Sequence, residues 1–440
     1  MQAELLGARS ECPAWRERLA RLVPALVLAG SRFGGVGLQF LVQVCVGALA
    51  GPYGLGVLQL FASWSSMVGE GLARGLPAWT MRVVAVDTSR GNAASAREHL
   101  AWAVQRIVAL ALVAGLPAFL LLVLIDDWPA GVYRGIAFAV ILGAPLFALL
   151  RLGADALKGA GEALLAVSIE NLVLPGLLLL VCACCWLSGQ TLGVTILLCT
   201  GVGGLALALC AVWTAMPANL RGASHPSDAV SDGSHDRSDI NALWANSLLA
   251  VAFLQLPFLL MPWYASPEEI GIYAVAHKLV NIVTTLLILL SAIFGPAFAQ
   301  AAADGGIKGL QRLLCRTQWL SCVIFLPLCA VLLLAVEPLA RVFNVPSGAL
   351  GTYLAILAAG QLVNAATGLS GVLLNMAGGA ALETRTLAGS ILIAMVAAPA
   401  VGTAYGVPGL AVLFSIVLAG KNLASYLAVF IFLSRKEGLT

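Results

Sequence analysis

Residues 51–82 read GPYGLGVLQLFASWSSMVGEGLARGLPAWTMR. The stretch opens on a Gly/Pro turn and closes on a Trp and an Arg, with a mostly apolar run between them. That run is long enough to cross a bilayer as a helix, which takes about 20 residues. Glu70 and Arg74 interrupt it four residues apart, so they share one helix face and can pair. An ionised side chain at mid-bilayer costs about 2.5–3.5 kcal/mol on insertion scales, so such groups face a partner or a watery cavity. The rest of the chain reads as the walls of that cavity.

Composition sets the solvent. Of 440 residues, 60% are hydrophobic and 10% charged, and the mean hydropathy is +0.97. A soluble domain carries about 25% charged residues. The composition predicts an all-α polytopic membrane protein. The 46 glycines suit close helix packing and kinks in lipid. Eight of the ten cysteines fall in apolar runs, and CACC at 182–185 lacks the paired spacing of zinc sites. They read as small packing residues, with neither a disulfide framework nor a metal expected. Arg9, Arg16, Arg18 and Arg21 precede an apolar run from Leu22 to Leu49. A signal-peptide core runs about 7–15 residues, so this longer run reads as an uncleaved first span.

Twelve apolar segments follow one another: 22–49, 55–80, 100–125, 132–155, 163–187, 191–215, 241–263, 270–295, 316–336, 350–377, 386–405 and 410–433. Seventeen of the 24 lysines and arginines fall before the first span, in even-to-odd connections or in the C-terminal tail, and two, Arg134 and Arg341, fall in odd-to-even connections. The excess of Lys and Arg marks the cytoplasmic side, so both termini are expected there. Residues 216–240, rich in Ser, Asp, Gly and Pro, have almost nothing to bury and read as a flexible cytoplasmic linker. It divides the chain into an N-terminal six-helix lobe, 1–215, and a C-terminal one, 241–440. His225 and His235 lie in it among several Asp; a solvated linker is the expectation, and a weak metal site the alternative.

The two halves carry a matching signature. Pro52-x-x-x-Gly56 leads into span 2 and Pro267-x-x-x-Gly271 leads into span 8, both offset by 215 residues, and each following span ends near a proline, Pro77 and Pro296. Two facing repeats with a site at their interface form a transporter architecture. The connections at 83–99 and 298–318 read as amphipathic surface helices, the second with Leu310, Leu313 and Leu314 on one face and Lys308, Arg312 and Arg316 elsewhere.

The ionisable residues inside spans are Arg32, Glu70, Arg74, Arg106, Glu170, His277, Lys278 and Lys421. Arg106 and Lys421 can snorkel to an interface. Arg32, Arg74 and Lys278 come from both halves and can converge on a central cavity beside Glu70. Three cations and one acid suit an anionic ligand, above all a phosphate or pyrophosphate. In the alternative, Glu70 neutralises Arg74 locally and Arg32 bonds backbone carbonyls. Glu170-Asn171 precedes Pro175, which frees carbonyls and kinks a helix. Glu170 is therefore a candidate ion or gating residue or a plain interhelical hydrogen-bonding group, and His277 is a further ion or gating candidate. No Walker-type phosphate loop, HExxH or GxSxG is present. No catalytic residue, cofactor or nucleic-acid partner is expected.

GPYGLGVLQLFASW…GEGLARGLPAWTMR, SPEEIGIYAVAHKLVNIVTTLLILLSAIFGPAFAQAAADGG and the closing YGVPGLAVLFSIVLAGKN resemble the bacterial O-antigen and exopolysaccharide flippases of the multidrug/oligosaccharidyl-lipid/polysaccharide exporter superfamily. The resemblance implies two six-helix lobes in a V with alternating access, in the bacterial inner membrane. It implies movement of an undecaprenyl-pyrophosphate-linked oligosaccharide between leaflets, with membrane lipids around it and a polysaccharide polymerase and chain-length regulator as neighbours. It also implies cavity arginines on spans 1, 2 and 8. Arg32 and Arg74 match. On span 8 this chain has Lys278, which keeps the charge and loses the planar fork. The two extra helices of the peptidoglycan-precursor flippases are absent. A multidrug/cation antiporter of the same superfamily is the alternative function. A membrane glycan polymerase or ligase would need large outer loops, and the longest here is roughly 337–349.

Overall fold

The computed structural model describes residues 14–124, 131–221, 234–303 and 307–437. Among these, the chain forms thirteen α-helices and no strand. The first lobe holds α1 (Ala14–Ala73), α2 (Leu76–Ser89), α3 (Ala93–Leu124), α4 (Gly131–Gly159), α5 (Ala163–Leu187) and α6 (Val194–Ala215). The second holds α7 (Ser234–Leu260), α8 (Pro267–Ala303), α9 (Ile307–Leu334), α10 (Val336–Phe343), α11 (Ser347–Thr367), α12 (Ser370–Ala377) and α13 (Ala380–Glu437).

Nine of these helices are, among the described residues, long and apolar enough to cross a membrane. Two of the nine each contain two of the expected spans. α1 bends at Gly51 (φ 63°), where spans 1 and 2 meet. α13 bends at Gly406 (φ 58°), where spans 11 and 12 meet. Positive φ is open to glycine at no steric cost, so the chain turns without releasing its helical hydrogen bonding on either side. With α8 added, the twelve expected spans are all helical. Two spans end earlier than their apolar pattern suggests. Span 2 breaks at Arg74-Gly75, both at positive φ, and span 10 breaks at Gly368 (φ 63°). α2 and α12 are the segments beyond these breaks.

The lipid-facing surface explains the composition. α3 leaves Leu112, Val113 and Leu116 more than 60% exposed, and large apolar side chains are exposed on α5, α9 and α13 as well. An apolar surface of this extent belongs in a bilayer, and the protein is a multi-pass membrane protein. The region expected to form a second surface helix instead continues α8 and opens α9. There Leu310 and Leu314 are buried, and Lys308, Arg312 and Arg316 are exposed, as the amphipathic pattern predicts. Of the linker at 216–240, Ala218–Leu220 form a short 3-10 turn and α7 begins at Ser234. His225 lies outside the described residues.

The repeated proline–glycine signature is where the lobes touch. A Cβ added at Gly56 would lie 1.7 Å from the Pro267 carbonyl oxygen, and one added at Gly271 would lie 1.8 Å from the Pro52 carbonyl oxygen. Each glycine thus lets its helix backbone rest on the proline of the other half. The contact is reciprocal, as two related halves facing each other require. We call this the proline end of the bundle and the opposite, Arg-rich end the basic end. The proline end is closed by a second contact. Gly47 of α1 lies against the Phe343 carbonyl, with 2.4 Å left for a Cβ. Phe40 meets the Phe343 ring edge-on at 5.2 Å, and Asn344 Nδ2 donates to the Gly47 oxygen at 3.4 Å.

Candidate functional site between the lobes

Below the proline end, α1 and α7 form a polar seam. Gln59, Ser63, Ser66, Glu70 and Arg74 follow one another at spacings of four, three, four and four, which keeps all five on one helix face. That face meets α7. Gln59 Nε2 donates to Ser63 Oγ at 2.9 Å. Ser63 Oγ donates to Gln255 Oε1 of α7 at 2.9 Å, and Gln255 Nε2 reaches Ser66 Oγ at 3.4 Å. One further turn along, Glu70 is 5% exposed. No ion pair joins it to Arg74 among the described residues, so the local neutralisation that their spacing allows does not occur.

Arg74 instead ends the helix. Its φ is 46°, its side chain is exposed, and its guanidinium lies 5.5 Å from the Trp244 ring of α7. The next residue, Gly75, packs its backbone directly on α7, where a Cβ would stand 2.6 Å from the Ile240 oxygen. The two lobes are therefore in contact from the proline end to the basic end along α1 and α7. Interhelical hydrogen bonds in membranes average about 0.6 kcal/mol with a maximum near 1.7. Gln255→Leu should accordingly lower the thermal stability of the detergent-purified protein only slightly. Its larger expected effect is on how often the lobes part, read as a change in the distance distribution between spin labels on the two lobes with little change in melting temperature.

Lys278 stands on α8, half-buried, seven residues past Gly271. Arg74 stands eighteen residues past Gly56. At 1.5 Å per residue, Lys278 is about 10 Å from the proline-end contact and Arg74 about 27 Å. The two cations are staggered in depth, Arg74 at the basic end and Lys278 well inside. Arg32 is carried on α1, and its side chain lies outside the described residues.

His277 turns away from the lobe interface into the second lobe. Its ring stacks on Tyr273 at 6.0 Å and meets Phe258 edge-on at 5.3 Å. Asn281 Nδ2 lies 3.1 Å from its Nδ1. Glu170 is likewise held within a lobe. It bridges Lys158 Nζ at 2.8 Å and Arg151 at 3.5 Å, and Lys158 also pairs with Asp155 at 2.9 Å. Arg151 and Lys158 read as connection residues in the sequence, yet α4 runs on to Gly159 and places both on its last turns. This network closes one end of a cavity of about 430 Å³ among α1, α4, α5 and α6, whose wall also holds Ser65 and Asn171.

Lys421 and Arg106 complete the set of in-span charges, and Lys421 differs from its sequence reading. Lys421 does not snorkel: it forms a short ion pair with Glu383, both side chains being 14% exposed, and Ser425 Oγ donates to the other Glu383 oxygen at 2.6 Å. Arg106 is exposed, with its guanidinium 5.4 Å from the Trp102 ring. The Gln59–Ser66 stripe, Gln255 and Glu383 were not singled out in the sequence. The stripe has a visible helical period. Gln255 and Glu383 have no local signal, because their partners lie 192 and 38 residues away.

Known structures share this arrangement of two helical lobes. The chain aligns over 92% of its length with a multidrug resistance MATE family transporter of the MOP superfamily in an inward-facing conformation, over 96% of that chain, at 14% identity and TM-score 0.74. An outward-facing MATE family transporter of the same superfamily aligns over 94% of this chain and 96% of that one at 14% identity, with TM-score 0.58. A MOP superfamily transporter from Pyrococcus furiosus, described as having a binding pocket of reversed polarity, aligns over 94% and 96% at 15% identity and TM-score 0.63. The fold is that seen in these MOP-superfamily transporters. The family model for polysaccharide biosynthesis protein matches residues 162–345, from α5 across the lobe junction into α10. No curated protein sequence matches the chain.

Proposed function

We propose that this protein is a flippase that carries an undecaprenyl-pyrophosphate-linked oligosaccharide across the bacterial inner membrane by alternating access. The observation that carries the reading is the match of residues 162–345 to a polysaccharide-biosynthesis family in a chain of this fold. Both termini and the basic end lie in the cytoplasm, where the positive-inside rule puts them. Arg74 and Arg32 receive the pyrophosphate there, since Arg holds phosphate oxygens bidentately. Lys278 meets it deeper in the seam as a point charge. Glu70 sits on the same face as Arg74 and excludes a second anion from the site. The sugars occupy the wet seam, and the lipid chain stays in the bilayer. Export then continues through a polysaccharide polymerase and chain-length regulator acting on the flipped product.

Charge reversal tests the site. Arg74→Glu should abolish export of the surface polysaccharide in cells, and so should Arg32→Glu. Lys278→Arg should retain export and Lys278→Glu should lose it. Unchanged export in both arginine variants, at wild-type protein levels, would remove the pyrophosphate role from this seam.

An ion-coupled multidrug or cation antiporter is the second reading. It draws support from the cavity of about 430 Å³ inside the first lobe, which falls in the size range of small-molecule sites and is lined by Glu170, Arg151 and Lys158. Restored drug resistance in a transport-deficient host would favour it.

A further inference from the structure

Trp244 brings the second lobe to Arg74 at the basic end of the seam. It stands eleven residues from Gln255 on α7, about three helical turns, so both face α1. Gly75 rests on its backbone, where an added Cβ would stand 2.7 Å from the Trp244 nitrogen and 3.1 Å from its Cα. The Arg74 guanidinium lies over its ring, 5.5 Å from the centroid, within the range of a cation–π contact.

Two features of this pair point beyond packing. The first is the indole N–H. Trp244 Nε1 is buried and has no hydrogen-bond partner among the described residues. Indole is a donor only, and so is the guanidinium lying over it. Glu70, one turn before Arg74 on the same face, does not supply the acceptor either. Buried donors are nearly always paired in native proteins, so one that is not calls for a partner. The second feature is the backbone of Arg74. Its φ is 46°, a region where residues other than glycine are uncommon and where such outliers cluster at ligand clamps. Glycine would hold this turn with less strain, as Gly75 does beside it at φ 73°. The chain nevertheless places an arginine there, with its side chain exposed and its guanidinium over the ring.

A guanidinium set against an aromatic face keeps its in-plane N–H groups free, and these match the oxygens of a phosphate in pairs. The indole N–H lies at the edge of the same ring. One side chain thus offers a face that orients the arginine and a donor of its own. A pyrophosphate carries acceptor oxygens on two linked phosphorus atoms, so one phosphoryl group can take the arginine fork and the other the indole donor. We propose that Trp244 is the second lobe's contact to a pyrophosphate group: its ring positions Arg74, and its Nε1–H donates to a phosphoryl oxygen. The inference rests on the flippase reading and adds to it a residue from the opposite lobe. The bound group is then held from both sides of the seam, by α1 through Arg74 and by α7 through Trp244. Binding involves no covalent step.

The test uses the full chain in lipid nanodiscs, with geranylgeranyl pyrophosphate, inorganic pyrophosphate and geranylgeraniol as probes. Two variants separate the ring from the donor. Trp244→Phe removes the N–H and part of the ring system. Incorporating 3-benzothienylalanine at position 244, with sulfur in place of the N–H, removes the donor and keeps the bicyclic ring. This isostere is expected to weaken geranylgeranyl pyrophosphate binding by about 10- to 150-fold, the usual effect of a lost hydrogen bond to a charged group, and Trp244→Phe at least as much. Binding of geranylgeraniol, which has no phosphate, should not change. The melting temperature of the isostere without probe should not fall, because the donor it lacks has no protein partner to lose. An isostere that binds geranylgeranyl pyrophosphate like wild type overturns the proposal, even where Trp244→Phe is weakened. If Arg74→Gln loses binding in the same assay, the flippase site stands without Trp244. Absence of binding by wild type overturns both. Inorganic pyrophosphate bound as tightly as the prenyl form, and lost alike in the isostere, supports the contact and counts against a lipid-borne ligand.

Discussion

Gly56→Ala is expected to shift the balance between lobe arrangements by about 5- to 150-fold while leaving the protein folded. The single added methyl would point at the Pro267 carbonyl oxygen from 1.7 Å. Real Cβ atoms essentially never come within 3.0 Å of such an atom, so α1 and α8 must part by more than an ångström. The obstacle is a backbone carbonyl, which has no rotamer to escape into. Overpacking of this kind costs about 1–3 kcal/mol, and here it falls only on the state in which the proline ends touch. The equilibrium between lobe arrangements therefore shifts toward proline-end-open by the same factor. Gly271→Ala meets the mirror obstacle at the Pro52 oxygen and should behave alike. Spin labels on Tyr53→Cys and Glu268→Cys flank the contact on the two lobes. Their distance should lengthen in Gly56→Ala, and an unchanged distance would show that the contact does not limit closure.

The second large effect is on stability. Lys421→Met should destabilise the second lobe by about 3–5 kcal/mol, the usual result of removing one partner of a buried ion pair. The remaining Glu383 would keep Ser425 as a donor but lose its only counter-charge among the described residues. Glu383 packs against Gly371, where an added Cβ would stand 2.6 Å from its Oε1. Glu383→Gln combined with Lys421→Met should recover most of the loss, because replacing both charges removes the unpaired one. Thermal unfolding in detergent reads this directly. A double variant no more stable than Lys421→Met would mean that the pair contributes through its packing and not through its charge.

Much of the architecture was written in periodicity and punctuation. The twelve apolar runs became helices, and the 215-residue offset of Pro52/Gly56 and Pro267/Gly271 proved to be a reciprocal backbone contact. What the sequence could not show was where a helix stops inside an apolar run. Arg74-Gly75 ends span 2 because Gly75 must lie flat on α7, a requirement set by Ile240 and Trp244 and absent from the local pattern. Gly51 and Gly406 bend helices that keep running, so their turn chemistry looks like a loop in sequence. The candidate site was legible to a similar degree. The costly charges were identifiable one by one, but their grouping is tertiary. Glu170 belongs with Arg151 and Lys158, Lys421 with Glu383, and His277 with Tyr273. Arg74 and Lys278 stand at different depths in the bundle. The polar stripe from Gln59 to Arg74 was readable at its four-three-four-four spacing; its weak point as a signal is that serine and glutamine are not costly enough to stand out singly.

The central proposal, that this protein moves a lipid-linked oligosaccharide between leaflets, is tested most directly by sided labelling of that lipid in cells with and without the protein. The account predicts that the lipid-linked oligosaccharide collects on the cytoplasmic leaflet when the protein is absent and returns to the outer leaflet when wild type, but not Arg74→Glu, is restored. An unchanged distribution between leaflets in its absence, in a cell with no other flippase for that lipid, would contradict it.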